Sequence, residues 1–166
     1  MRYVLDVAQR AGARTKLISG PSLQLPLYQP DNPERSDAAR DLVAELALAD
    51  GIVLGSPGYH GSISGLVKNA LDYAEDLRTD VRPYFSGRAV GCIATAGGWS
   101  GAVNTLGALR DIVHALRGWP TPLGAAINST EHVFDDDGTC QVARVGQVLE
   151  LIAGEVMSFA RPIQRG

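Results

Sequence analysis

The chain has 166 residues, with 15 Lys and Arg against 18 Asp and Glu, a formal charge of −3 at pH 7. At about 100–200 residues per domain this is one domain over residues 1–166, and a chain of this size buries roughly 70% of its unfolded surface without metal or disulfide staples. Hydrophobic residues at 45% and charged residues at 20% exclude a disordered chain. The slight acidity leaves no basic stripe for nucleic acid, and no apolar run approaches the ~18–20 residues of a membrane span. The opening MRYVLDVAQR lacks the apolar stretch of a secretory signal. Cys92 and Cys140, with no CxxC spacing and no paired His, point to a reducing, cytoplasmic compartment and to no metal site.

Along the chain, Tyr3, Val4, Val7, Ala8 and Ala11 recur at helical spacing, and Gly12 stands where a helix would end. RTKLIS (residues 14–19) reads as a short strand, and residues 20–33 as a proline-rich loop. Ser36 or Asp37 is placed to cap a helix whose apolar face is Ala39, Leu42, Val43, Leu46 and Ala47. GIVLGSP (residues 51–57) is a continuous apolar run closed by small residues, the pattern of a strand buried on both faces of a parallel sheet. A glycine-bearing loop follows, then a helix over residues 64–77 with Leu66, Val67, Ala70, Leu71 and Ala74 on one side. AVGCIAT (residues 89–95) is a second buried strand, running into Gly97, Gly98 and Gly101. The next helix reaches Leu116 and stops at Gly118 and Pro120. AAIN (residues 125–128) is expected as the last strand, and residues 141–160 as a helix carrying Val145, Val148, Leu149, Ile152 and Val156.

Helices alternating with short apolar strands predict a doubly wound parallel sheet covered on both faces, a three-layer α/β/α class. Ligands of such sheets bind beyond the carboxyl ends of the strands, where the strand order reverses. The two loops richest in small residues, 56–65 and 95–101, fall at those ends. Their glycines and serines let backbone amides approach a flat ligand closely. Tyr59 adds an aromatic face and His60 a ring with two switchable nitrogens. TAGGWSG repeats the device with Trp99 and a helix start whose free amides attract negative charge. This suits a planar, polar-edged heterocycle better than a hydrolytic substrate. Other sites fail on spacing. There is no GxxxxGK[ST], Ala96 breaks GxGxxG, Ile63 stands where a nucleophile elbow needs Ser, and Val133 displaces the first Asp of a calcium loop.

Away from these loops, His114 reads as a packed or rim residue and His132 as solvated. Lys68 and Asn69 are subunit contacts or a polar helix face, and Asp135, Asp136 and Asp137 form a turn closed by Gly138. Cys92 reads as core packing and Cys140 as an ordinary thiol.

The segment SPGYHGSISGLVKNALDYAEDL resembles the signature of the NAD(P)H-dependent FMN reductases, a flavodoxin-like family. There a strand ends in P-x-Y-x-G-S and a G-x-x-K-N-x-L-D helix follows. The LPLY loop (residues 25–28) and the glycine loop and helix of TAGGWSGAVNTLGALRDIVHAL extend the resemblance over nearly the whole chain. It implies a flavodoxin-like fold, FMN and NADPH (or NADH) as cofactors, and hydride transfer from nicotinamide to flavin. Electrons would then pass to an acceptor such as free flavin, quinone, an azo compound or a metal oxyanion. It also implies that Pro57, Gly58, Tyr59, His60 and Ser62 lie along the isoalloxazine ring, with Thr95, Ala96, Gly97 and Gly98 at its other edge. No acid, base or nucleophile is assigned, because the chemistry belongs to the cofactor. A homodimer or homotetramer with the flavin near the subunit boundary follows from the resemblance, as does a monooxygenase partner for reduced flavin. Trp99 is then a flavin lid or an interface anchor.

The chain departs from that pattern in two places. Gly58 and His60 stand where relatives commonly carry Glu and Asn. The family's first strand and its G-S-x-R-x-x-S phosphate loop have no counterpart in the sequence, so an N-terminally truncated domain is expected, with low FMN affinity or with the gap filled by strand addition from a neighbouring subunit. Two other readings are a flavodoxin-like binding or regulatory module without flavin, and a hydrolase using Ser62 with His60.

Overall fold

The computed structural model describes residues 1–160; residues 161–166 of the expected domain lie outside the described residues. Three strands run parallel, β1 (Gly51–Tyr59), β3 (Ala89–Ala96) and β4 (Trp119–Asn128). A two-residue strand, β2 (Ser62–Ile63), folds back antiparallel on the end of β1, giving the order β2-β1-β3-β4. The helices are α1 (Arg2–Arg10), α2 (Asp37–Leu48), α3 (Gly65–Asp72), α4 (Trp99–Ala115) and α5 (Ala143–Phe159).

β3 shows why the layers form. Its side chains alternate between the two sheet faces as a period of two requires. Val90, Cys92 and Ala94 join a core with Leu42 and Leu46 of α2, Leu71 of α3, and Leu109 and Val113 of α4. Ile93 joins Val4 of α1 and Leu149 and Ile152 of α5 on the opposite side. This is the expected three-layer α/β/α arrangement. Ser36 caps α2 by accepting the Ala39 amide at 3.3 Å, and Ser64 caps α3 by accepting that of Val67 at 3.2 Å. Arg88, fully buried, closes the far end of α2: its guanidinium donates to Ala47 O and Ala49 O at 2.8 Å each, and to Tyr84 O at 2.7 Å.

Several expectations are corrected. Residues 14–19 form no strand. A strand exists only where a neighbour accepts its ladder bonds, and among the described residues none lies beside them, although Ile18 still packs on the α2 side of the core. For the same reason the strand order never reverses among the described strands, so the expected switch point is not formed by them. The helix expected over residues 64–77 ends at Asp72 and tightens into a 3-10 turn, Tyr73–Leu77, which turns Tyr73, Ala74 and Leu77 inward together. β4 starts at Trp119 rather than at residue 125. Its Pro120 and Pro122 are tolerated because β4 is an edge strand, and the register shifts opposite Val90 and Cys92. Of the two readings of His114, packed or at a rim, exposure removes the packed one. Asn69 contacts its own chain, bonding the backbone of residues 25–28.

Candidate functional site

Parallel pairing sets Pro57 of β1 beside Thr95 of β3, so the two glycine-bearing segments leave the sheet side by side, about 4.8 Å apart at their roots. β1 then runs to Tyr59 and reverses through His60 (φ 52°) and Gly61 (φ 85°) into β2. Two successive left-handed residues are what a two-residue hairpin turn demands. His is among the non-glycine residues that enter this region most readily, as Asn is, which gives a backbone reason for His60 where the resemblance leads one to expect Asn. The turn leaves Tyr59 61% exposed, with His60 and Ser62 in solvent beside it.

The hairpin is anchored on both flanks. Ser56, buried, accepts the Ser64 amide at 3.0 Å and donates to Pro57 O at 2.8 Å, which ties the return of the hairpin to the cap of α3. On the other flank Gly58 lies against α4. A Cβ at position 58 would meet Thr105 Oγ1 at 2.3 Å, and Ala96 Cβ and Gly101 O at 3.3 Å each. A glutamate side chain therefore does not fit on this backbone while Thr105 occupies that position. Thr105 Oγ1 donates to Ser62 O at 3.4 Å.

The second segment is shorter than expected, because α4 begins at Trp99 and only Gly97 and Gly98 remain as loop. Neither glycine has an atom within 4 Å of the position a Cβ would take, and Gly98 gives α4 no side-chain cap. Ala96 is buried and Thr95 half-buried, and Trp99 is 44% exposed at the rim. Ala96 O accepts the Ser129 amide at 2.8 Å, which brings the turn after β4 to the same end of the sheet.

The structure thus brings Pro57, Gly58, Tyr59, His60 and Ser62 together with Thr95, Ala96, Gly97 and Gly98. Gly101, the end of the second loop, belongs to the same locus, as do Thr105 and Ser129, which were not singled out from the sequence. Thr105 lies mid-helix, where no local pattern marks it, whereas Ser129 could have been found as the residue following a strand's carboxyl end. Apart from His60, residues 56–66 and 95–101 carry no titratable side chain other than Tyr59. Lys68, the nearest lysine in sequence, pairs with Asp72 at 2.5 Å. The donors on offer are backbone amides around an open shelf with aromatic rims. Such a set fits an uncharged, planar ring with carbonyl edges; it supplies no cation for a phosphate. A groove of about 540 Å³ between Pro122 and the α5 residues Glu150, Leu151, Gly154, Glu155, Ser158 and Phe159 shares no residue with the shelf.

Fold and shelf together define a flavodoxin-like α/β protein. The sequence profile of the NADPH-dependent FMN reductases matches residues 1–132. The chain belongs to that family. It is 38% identical over 100 residues to an FMN-dependent NADPH-azoreductase of Staphylococcus aureus, an alignment covering 60% of this chain and 50% of that protein. The chain spans about half the length of the curated relatives it matches. Among solved structures it is similar to an oxidoreductase from Corynebacterium diphtheriae, with a TM-score of 0.70 at 20% identity, covering 96% of this chain and 83% of the other. It is also similar to a flavodoxin, WrbA-like protein from Agrobacterium tumefaciens, with a TM-score of 0.63 at 20% identity, covering 96% and 86%. At these identities the structural likenesses speak to the fold alone.

Proposed function

We propose that this chain is the flavin-holding part of an NAD(P)H-dependent FMN reductase, an oxidoreductase that takes hydride from NADPH or NADH. The observation that carries the reading is the pairing of Pro57 with Thr95, which sets both signature segments on one shelf, with open space around the α-carbons of Gly97 and Gly98. Pro57, Gly58, Tyr59, His60 and Ser62 would hold one side of the isoalloxazine ring, and Thr95, Ala96, Gly97 and Gly98 the other. FMN held there would supply the redox chemistry, hydride uptake from nicotinamide and two-electron delivery to an acceptor. The protein's part is to offer amide donors to the ring's carbonyl edge, to stack Tyr59 or Trp99 against it, and to leave one face open for a second planar molecule at about 3–3.5 Å.

An azo compound is the acceptor we favour, on the strength of the azoreductase relative. Quinone and free flavin, including reduced flavin delivered to a monooxygenase, use the same open face. The exposed apolar side chains Tyr59, Leu66, Trp99 and Val103 support a homodimer or homotetramer formed around the shelf, which in a monomer would leave them in water. Among the described residues both cysteines are free and no helix is long and apolar enough to cross a membrane; a cytoplasmic setting accords with this. The phosphate of FMN needs a cradle that the shelf does not contain. We assign that cradle, and a strand to pair the free edge of β1, to a neighbouring subunit by strand addition.

The test is an FMN titration of the purified chain followed by flavin fluorescence, then NADPH oxidation with an azo dye. Quenching that Y59A weakens, together with FMN-dependent dye reduction, is the expected result. A chain that neither quenches FMN nor oxidises NADPH would leave a flavin-free binding module in its place.

A further inference from the structure

Thr105 is fully buried on α4, faces the hairpin rather than the sheet, and has its Oγ1 directed at Ser62 O. It also sits against the one α-carbon of the hairpin that has no room for a side chain, since a Cβ on Gly58 would fall 2.3 Å from its hydroxyl. The two contacts bracket Tyr59 and His60. Gly58 precedes the exposed tip and Ser62 follows it, and both rest on the same threonine. The tip itself makes no other side-chain hydrogen bond among those described, and its turn holds a non-glycine residue, His60, at φ 52°. A strained, solvent-facing turn stays in one conformation only when its flanks are fixed. Here the α3 flank is fixed by Ser56 and Ser64 at 3.0 Å, and the α4 flank by Thr105 alone at the longer 3.4 Å.

We propose that Thr105 is a positioning residue for flavin reduction, setting the height and tilt of the Tyr59–His60 tip over the shelf by clamping Gly58 and Ser62 to α4. The inference rests on the reading that a flavin occupies the shelf. It assigns the tip's geometry to a residue that touches neither flavin nor nicotinamide. Thr105 and Gly58 act as a matched pair, because the hydroxyl fills the space that a side chain at position 58 would need. The pair thereby determines which residue the signature can tolerate there.

The experiment compares wild type, T105V and T105S, with Y59A as the control for the flavin reading. T105V keeps the volume but leaves Ser62 O without its donor; T105S keeps the donor. In the flavin-free protein, amide hydrogen exchange at residues 59–62 should accelerate by about tenfold in T105V, stay within about twofold of wild type in T105S, and not change in β3 or α5. With FMN added, T105V should weaken flavin binding by about five- to tenfold, an effect that T105S reverses. Unchanged exchange at residues 59–62 in T105V overturns the clamp. Accelerated exchange with unaltered FMN binding, while Y59A does weaken binding, overturns the positioning role and leaves the flavin reading intact. If wild type binds no FMN, or Y59A binds it as wild type does, the flavin reading itself is lost. Should T105V fail to fold, G58A supplies the same test from the other side: the new methyl must displace Thr105, so exchange at residues 59–62 rises if the pair is matched and stays level if it is not.

Discussion

The side-chain oxygen of Asn69 lies 2.9 Å from the Tyr28 amide nitrogen and accepts its hydrogen bond across 41 residues of sequence. The same amide group donates to Pro26 O at 2.9 Å and to Leu25 O at 3.4 Å. One side chain of the signature helix thus satisfies three backbone groups of the LPLY loop, which has no ladder of its own. We expect N69A to cost about 1–3 kcal/mol, the range for leaving such groups unpaired, and to speed proteolytic cleavage within residues 20–33. Urea unfolding and the mapped cleavage sites are the measurements. Cleavage at the wild-type rate would mean that the loop is held by something else.

Arg35 and Asp76 lock the same loop from below. The guanidinium makes two bonds to the carboxylate, Nε to Oδ2 at 2.7 Å and Nη2 to Oδ1 at 2.9 Å, and lies over the rings of Tyr28 and Tyr73 with its Cζ 4.9 and 5.6 Å from their centroids. The hydrogen bond from Arg35 holds the Asp76 carboxyl below its ordinary value of 3.8, outweighing the opposite push from burial. A carboxyl whose folded value lies below its unfolded one stabilises the fold fully above the unfolded value, and that contribution is lost as pH falls through the folded one. D76N should therefore be less stable than wild type at pH 7 and at pH 5, and the difference should shrink below pH 3.8. Denaturant midpoints at pH 7, 5 and 3 decide the matter; a gap independent of pH would show that the ionised pair contributes nothing.

How far the sequence carried the fold depends on whether each element is specified locally. β1 and β3 were legible because a strand buried on both faces must be apolar throughout, and α2 because Ser36 and its periodic face mark both its start and its orientation. Residues 14–19 misled because β-propensity speaks to side chains, while a strand also needs a partner's backbone. β4 was read short because Pro120 and Pro122 look like loop residues until the strand is known to lie at an edge. At the site, the two small-residue segments could be named but not joined. What joins them is the register of β1 with β3, together with Thr105 on α4, which meets Ser62 across 43 residues, and no local periodicity encodes contacts at such separation. The hairpin turn could have been found, since His60-Gly61 between short extended runs is a positive-φ pair of the kind two-residue turns use.

His60 stands where the turn needs a left-handed residue, and its side chain is in solvent. Its replacement is therefore a backbone experiment. H60N should leave stability within about 0.5 kcal/mol of wild type, because Asn enters this region as readily, whereas H60V should lose about 1–2 kcal/mol, because a branched Cβ meets the following carbonyl. Thermal unfolding of the two variants is the check. If both behave alike, the turn is not held in this conformation in solution.

Among the described residues β1 has β3 along one edge and, along the other, only the two residues of β2 at its carboxyl end. In a parallel ladder successive amides point to alternate edges, so every second N–H from Ile52 to Ser56 faces away from β3 with no strand to receive it. The opposite edge of the sheet is defended differently. Pro120 and Pro122 present no N–H there, and Glu155 accepts the Leu123 amide at 3.1 Å. Among the described residues no proline or side-chain acceptor shields β1 in this way, and its residues 51–56 carry no proline and no charge. In dilute solution, amide exchange along residues 52–56 should therefore alternate between slow and fast, while β3 is slow throughout. Raising the protein concentration should convert the fast amides to slow ones if copies of the chain pair edge to edge, and leave them fast if they do not. Uniform protection at every concentration would mean that the edge is already paired within one chain.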